Sequence, residues 1–329
     1  MKRLNNLTEL AADPANLRLA FVKARKGKQG SGAVQGYARH LQANLLILRN
    51  QIRSGKVRVG NYRFFTIRDP KERLICAPAF SEQVLHHALM NVCHDRFESF
   101  QIFDSYASRK GKGVHAALDR AQHYVRKYNW FLKLDVRKYF ASISHEVLLG
   151  QLERLFKDQR LLDIFHSIVQ SWEATPGRGL PIGALSSQYF ANHYLAVLDH
   201  YVREMLCPGG YLRYMDDMVL FGKDKNLLKE MLGRIESFTA ERLQLQLKPP
   251  QLLRCRHGLS FLGYRLFAQQ RRLTRRSKRR FLRKMQLLQV QWQTGAWDEE
   301  TCRRHALPLL AFTRHADTLG LRRQLLENI

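Results

Sequence analysis

The sequence predicts an α+β fold: an antiparallel sheet with packed helices, followed by a basic helical C-terminal domain. Three patterns carry that expectation. Across residues 130–136 polarity alternates, with Leu132, Leu134 and Val136 on one face and Asp135 on the other, as in a half-buried strand. The apolar runs 211–215 and 218–221 flank Asp216-Asp217 at the spacing of a two-residue hairpin. Beyond Arg271 the composition shifts: residues 271–284 hold nine basic side chains and no acid, while Phe281, Met285, Leu288 and Trp292 recur at helical spacing.

Taken in order, residues 1–60 read as helices broken at 23–32, where glycine and like charge disfavour packing and predict a mobile basic loop. Residues 62–67 read as a short strand and 69–73 as a turn. A helix then starts at Ser81 and puts Val84, Leu85, Ala88, Leu89 and Val92 on one face. In the C-terminal helices, Trp292 and Trp297 are expected in the core. No internal repeat is present.

Of the 329 residues 45% are apolar, enough for a sizeable core in one multi-part unit or two domains. Lys plus Arg number 55 against 28 for Asp plus Glu, a formal charge of +27. Such an excess repels itself unless a polyanion is the usual neighbour, which favours nucleic acid over an anionic membrane surface. No stretch approaches the roughly 18 to 20 apolar residues of a membrane span, and residues 1–10 lack a signal-peptide core, so a cytoplasmic location is expected. Cys76, Cys93, Cys207, Cys255 and Cys302 form no C-x-x-C pair and read as reduced core thiols.

Asp216-Asp217 makes a poor tight turn, because such turns favour Asn-Gly or Asp-Gly and adjacent anions repel; a cation should compensate. Read alone, the pair is an acidic solvated turn and Asp135 a strand-end cap. If Asp135 meets the hairpin, three carboxylates converge, the hard oxygen set that holds magnesium beside phosphates. Two such ions about 3.5 to 4 Å apart lower the charge on an attacking 3′ oxygen and stabilise leaving pyrophosphate.

Tyr214-Met215-Asp216-Asp217 resembles the Y-x-D-D box of reverse transcriptases, and further blocks similar to that family's run in order from about Tyr62 to Leu266. The resemblance implies a right-hand polymerase: an N-terminal helical extension over 1–60, fingers and palm over 61–268, and a basic helical thumb over 269–329. It implies RNA-directed DNA synthesis with two Mg2+ ions. Asp135, Asp216 and Asp217 are the implied catalytic residues and metal ligands, with Val136 joining them at the metal.

Residues 66–75 resemble the fingertip block, which implies Arg73 and Lys71 at the incoming triphosphate; arginine's planar fork binds two phosphate oxygens at once. Residues 105–113 resemble a block with a G-F-R-P core but depart from it, with Ala107-Ser108 before Arg109 and Lys110 in place of proline. Arg109 is the implied template contact there. In 134–140 the resemblance implies the Lys138 and Tyr139 amides at the triphosphate and Phe140 at the sugar gate, where a ring leaves no room for a 2′ hydroxyl. Residues 243–249 resemble a further palm block, which implies Lys248 near the pyrophosphate. Tyr214, Met215, then Phe261 and Gly263 of the F-L-G-Y primer-grip motif, and Arg275, Arg276, Lys278 and Arg279 are implied at the template–primer, the thumb bases through phosphates.

Residues 179–188 depart from the group II intron and retroviral pattern, which shows Q-G near the start. Ile182-Gly183 and Ser187-Gln188 stand there instead, the I-G-x-x-x-S-Q pattern of diversity-generating retroelements. That branch implies Ile182, Gly183 and Gln188 at the nucleotide, with error-prone synthesis at adenines of a template-repeat RNA to diversify a variable gene segment. It also implies an RNA/cDNA duplex, dNTPs and an oligomeric basic accessory protein as partners. With the chain ending at Ile329, target nicking is expected from another protein. The rivals are another bacterial reverse transcriptase (group II intron, retron or phage-defence type), a non-catalytic RNA-binding scaffold and, weakest, a membrane-surface binder.

Overall fold

Strands form where polarity alternates between turn-forming residues. In the computed structural model, which describes residues 4–68 and 72–327, β1 (Tyr62–Arg68) and β2 (Glu72–Pro78) pair as an antiparallel hairpin. β3 (Trp130–Asp135), β4 (Gly210–Tyr214), β5 (Asp217–Gly222) and β6 (Gln251–Arg254) form an antiparallel sheet in the order β4-β5-β3-β6. β7 (Leu259–Phe261), β8 (Tyr264–Leu266) and β9 (Arg271–Leu273) make a third sheet, so the boundary expected at 268 falls between two strands of one sheet.

The four-stranded sheet separates two cores. Leu132, Leu134, Met218 and Leu220 join the larger one with helices Phe80–Phe100, Gln159–Gln170, Leu185–His200 and Lys225–Leu243. Phe131, Leu212, Val219 and Phe221 face the smaller one, under helix Val114–Lys127 and the β7–β8 hairpin. The half-buried reading of β3 is therefore corrected: its second face is covered too, because the helix and hairpin lie across it. Along that second face the register runs Phe131↔Phe221, Lys133↔Val219, Asp135↔Asp217. The face thus begins apolar and turns acidic at the last pair.

Helix Phe80–Phe100 buries Val84, Leu85, Ala88 and Leu89 on the expected stripe. Helix Pro14–Arg25 packs on it, started by proline at its first turn and by Asp13, whose carboxylate accepts from the Ala15 and Asn16 amides. In the basic loop that follows, Lys28 Nζ donates to Gln83 Oε1 at 2.6 Å. At the other end, helix Arg275–Gln293 buries Phe281 and Met285 against helix Glu299–Arg314. Trp292, expected in this core, is 47% exposed in the helix's last turn, and Trp297 stacks on His305. Cys76, Cys93 and Cys255 are buried thiols as expected, but Cys207 is exposed, since it closes a π-helical turn (Tyr201–Leu206) in a left-handed conformation. Among the described residues, no helix is long and apolar enough to cross a membrane.

Between the sheet and helix Leu185–His200 lies an ion pair sealed from water. Arg213 of β4 and Asp199 are both 0% exposed, with Nη2 to Oδ2 at 2.7 Å and Nε to Oδ1 at 2.8 Å. Removing one partner of such a pair leaves a bare buried charge, which costs about 3–5 kcal/mol. Arg213→Met should lose roughly that much stability in urea unfolding, whereas Arg213→Met with Asp199→Leu should recover most of it. A single variant as stable as the parent would show that the pair contributes nothing.

Candidate active site

Tyr214 pairs with Asp217, so the loop between β4 and β5 is Met215-Asp216, and Asp217 is the first residue of β5. The expectation that both aspartates fill the turn is corrected by one residue. Met215 has φ 55°, the first-position geometry of a II′-type turn that normally takes glycine. A left-handed methionine costs on the order of 1 kcal/mol or more. The Arg213 guanidinium holds it there, donating from Nη1 to the Met215 carbonyl at 2.9 Å.

This register puts Asp135 and Asp217 on directly opposed positions of neighbouring strands, with Asp216 at the adjoining turn. Past β3 the chain continues as a bridge to residues 246–248: Arg137 N donates to the Gln246 carbonyl at 2.8 Å and Lys248 N to the Asp135 carbonyl at 2.8 Å. The Val136 carbonyl takes no part in those two bonds. The cations that two neighbouring anions require are both lysines. Lys248 Nζ lies 2.6 Å from Asp135 Oδ1, and Lys133 Nζ lies 3.1 Å from Asp217 Oδ2.

Burial raises the Asp216 carboxyl above its ordinary range and the Asp135 charge raises it further, while Lys248 and Arg73 pull it back. Burial pushes Asp217 up to about 6 against the pull of Lys133, with Asp135 and Asp216 adding to the rise. Asp217 Oδ1 is shielded from solvent and has no hydrogen-bond partner. Among the described residues, no group of three or more His, Cys, Asp or Glu side chains is arranged to hold one ion, and lysines are seated on two of the three carboxylates. The chemistry nonetheless suits a divalent cation: hard oxygen donors, raised carboxyls and an unpartnered buried oxygen all ask for positive charge.

Around the acids, Arg73 reaches Asp216 electrostatically across the gap from the β1–β2 hairpin, while Lys71 lies outside the described residues. Lys138 is left-handed (φ 45°) and caps the short helix Tyr139–Ser142, Tyr139 is buried, and Phe140 is half-buried edge-on to the Tyr139 ring. The Ile182 carbonyl accepts from Cys76 N at 2.7 Å, tying this block to β2. A Cβ on Gly183 would stand 2.9 Å from the Cys76 carbonyl oxygen, so only glycine fits there. Gln188 is exposed and its Oε1 accepts from Ser108 Oγ. Arg109, expected at a template, is used inside the protein: its guanidinium pairs with Glu98 and donates to the Ile102 and Ser105 carbonyls. Lys248, expected near pyrophosphate, sits on Asp135.

Tyr214 and Met215 are partly buried beside the turn. Leu262 and Gly263 both have positive φ between Phe261 and Tyr264, a two-residue I′-type turn, and Phe261 is buried. Arg275, Arg276, Lys278 and Arg279 are exposed in the first turns of helix Arg275–Gln293, which contain no acid. Cations there oppose the helix dipole, at a cost of about 0.3–1 kcal/mol each, which a bound polyanion would offset. Sequence reasoning missed Lys133, Arg213 and Asp199. The first two had a signal, a long cation inside an otherwise apolar strand; Asp199 had none beyond helical spacing.

The family described as Reverse transcriptase (RNA-dependent DNA polymerase) matches residues 68–266. Protein YkfC of Escherichia coli (strain K12) is 22% identical over 320 residues, covering 82% of this chain and 83% of that protein. Group II intron-encoded protein LtrA of Lactococcus lactis subsp. cremoris is 23% identical over 141 residues, 41% of this chain and 24% of LtrA, so the chain spans about a quarter of that relative's length. Among solved structures, telomerase from Candida tropicalis in complex with a TWJ fragment of telomeric RNA is similar in fold, with TM-score 0.50 and 12% identity over 77% of this chain and 52% of that one.

A carboxyl whose folded value lies above its unfolded one penalises the folded state once it must ionise; for Asp217 that penalty is absent below about pH 4 and complete above about 6. Asp217→Asn should therefore melt above the parent at pH 7.5 in chelator, by on the order of 1–3 kcal/mol, and the gap should close as pH falls to 4. A gap independent of pH would place the raised carboxyl elsewhere.

Proposed function

Since the chain belongs to the reverse transcriptase (RNA-dependent DNA polymerase) family, we propose that it extends a primer with deoxynucleotides on an RNA template. The observation that carries this is the opposition of Asp135 and Asp217 across β3 and β5, with Asp216 in the adjoining turn. These carboxylates, with the Val136 carbonyl, would hold two Mg2+ ions, which when bound lower the charge on the primer's 3′ oxygen and offset that on the leaving pyrophosphate.

The protein's own groups do the rest. Arg73 binds triphosphate oxygens from the hairpin side. The amides of Lys138 and Tyr139 hold the phosphates from below, and Lys248 transfers from Asp135 to phosphate as the site fills. The Phe140 ring excludes a 2′ hydroxyl. Arg275, Arg276, Lys278 and Arg279 grip the duplex backbone, so binding falls steeply with salt.

Within the family, the Ile182-Gly183 and Ser187-Gln188 pattern supports the diversity-generating branch. An aliphatic residue at 182 offers no polar hold on template or nucleotide, which eases misincorporation, and template-repeat RNA and a basic accessory protein would be its partners. A second reading, an enzyme of group II intron type, is favoured by the similarity to LtrA.

Primer extension on RNA with magnesium and four deoxynucleotides should fall by on the order of a thousandfold in Asp216→Ala. Unaltered synthesis would remove the polymerase reading. Sequenced products of the parent should carry errors concentrated opposite template adenines, several-fold fewer in Ile182→Gln; accurate synthesis by the parent would favour the intron-type reading.

A further inference from the structure

Lys133 is an oddity of the central strand. Its register partners are Val219 on β5 and Gln251 on β6, and its neighbours Leu132 and Leu134 are fully buried. An ammonium there is partly stripped of water, a cost that an apolar residue would avoid. Its Nζ has three partners: Asp217 Oδ2 at 3.1 Å, the Ser260 carbonyl oxygen at 2.8 Å, and the face of the Phe261 ring, 5.8 Å to the centroid. One side chain thus ties a catalytic carboxylate to the β7–β8 hairpin that carries F-L-G-Y.

The hairpin is itself fastened to the C-terminal helices. Thr274 N donates to the Gly263 carbonyl at 3.0 Å and Tyr264 Oη donates to the Phe312 carbonyl at 2.6 Å. A Cβ on Gly263 would stand 3.1 Å from Ser277 Oγ and 3.3 Å from the Phe312 ring, so hairpin and helices are in close register. A path of direct contacts therefore runs from Asp217 through Lys133 to the hairpin and on to the basic helix.

We infer that Lys133 is a positioning residue: it sets the distance between the carboxylates and the primer-bearing hairpin, so that a primer end held by the hairpin arrives at the acids. This rests on the polymerase reading for what the hairpin holds. Asp217 Oδ2 is turned to the lysine, leaving Oδ1 for the site. The ammonium acts on Ser260 and Asp217 inside the protein and touches no phosphate.

The test compares Lys133→Met and Lys133→Arg with the parent, all checked for unchanged melting, using a labelled DNA primer on an RNA template. Anisotropy in chelator reports duplex binding, and steady-state extension gives kcat and KM for the duplex and for deoxynucleotide. Lys133→Met should weaken duplex binding about tenfold, as for loss of a charged hydrogen bond, and lower kcat, with KM for deoxynucleotide unchanged. Lys133→Arg should restore most of both.

The slope of log Kd against log salt should be the same in the parent and Lys133→Met. A slope reduced by about one would make Lys133 a direct phosphate contact and overturn the inference. So would wild-type duplex affinity in Lys133→Met. If the parent binds duplex but extends no primer, the polymerase reading fails, while the chelator measurements still judge Lys133. Should Lys133→Met fail to fold, Lys133→Gln, polar but uncharged and one atom shorter than lysine, takes its place with the same expectations.

Discussion

The buried guanidinium of Arg213 is the constraint on which the site's geometry hangs. It meets Asp199 on one helix, Asn192 about two turns before it, Gln101 beyond the long helix Phe80–Phe100, and the carbonyl of Met215 in the turn that bears Asp216. The same residue's backbone pairs with Asp104 and Tyr106, at the root of the loop that carries Arg109. A left-handed methionine survives in the turn because five donors of a fully dehydrated fork leave the backbone no cheaper arrangement. The surrounding side chains, Tyr211 on Asp199 among them, complete the shell of hydrogen bonds that makes so deep a charge tolerable.

Above that anchor the electrostatic demand is reversed. Three carboxylates on two opposed strand ends and the adjoining turn repel one another, and the protein meets the repulsion with two lysines, Lys133 from β3 and Lys248 from the segment after Leu243. Neither lysine fully compensates, since Asp216 and Asp217 remain harder to ionise than free aspartates. The site is therefore tuned toward accepting further positive charge, and the Lys248 contact, with both side chains about one third exposed, is the one that solvent can most readily compete for.

Much of this was legible in the sequence. The α+β class, the hairpin of acids, the apolar stripe of helix Phe80–Phe100 and the packed Phe281 and Met285 follow from periodicity, which depends on nearest neighbours. What escaped depends on what lies across the sheet. Alternation in β3 could not reveal that helix Val114–Lys127 covers its second face, nor that Tyr214 would pair with Asp217 and shift the turn by one residue. The pairing of Arg109 with Glu98 was not legible because the two sit eleven positions apart on different elements. Trp292 keeps the helical spacing of the core yet lies where the helix is ending.

The basic first turns of helix Arg275–Gln293 tie two equilibria together. Clustered like charge at the wrong end of a helix dipole lowers the stability of that helix by itself, and a polyanion that binds only the folded form restores it by mass action. A nucleic acid that bound there would act as a folding ligand for this part of the chain. Because helix Arg275–Gln293 packs on helix Glu299–Arg314, occupancy by a duplex would be felt as rigidity across the whole C-terminal region. The C-terminal region would be at its most ordered where such a polyanion already lies.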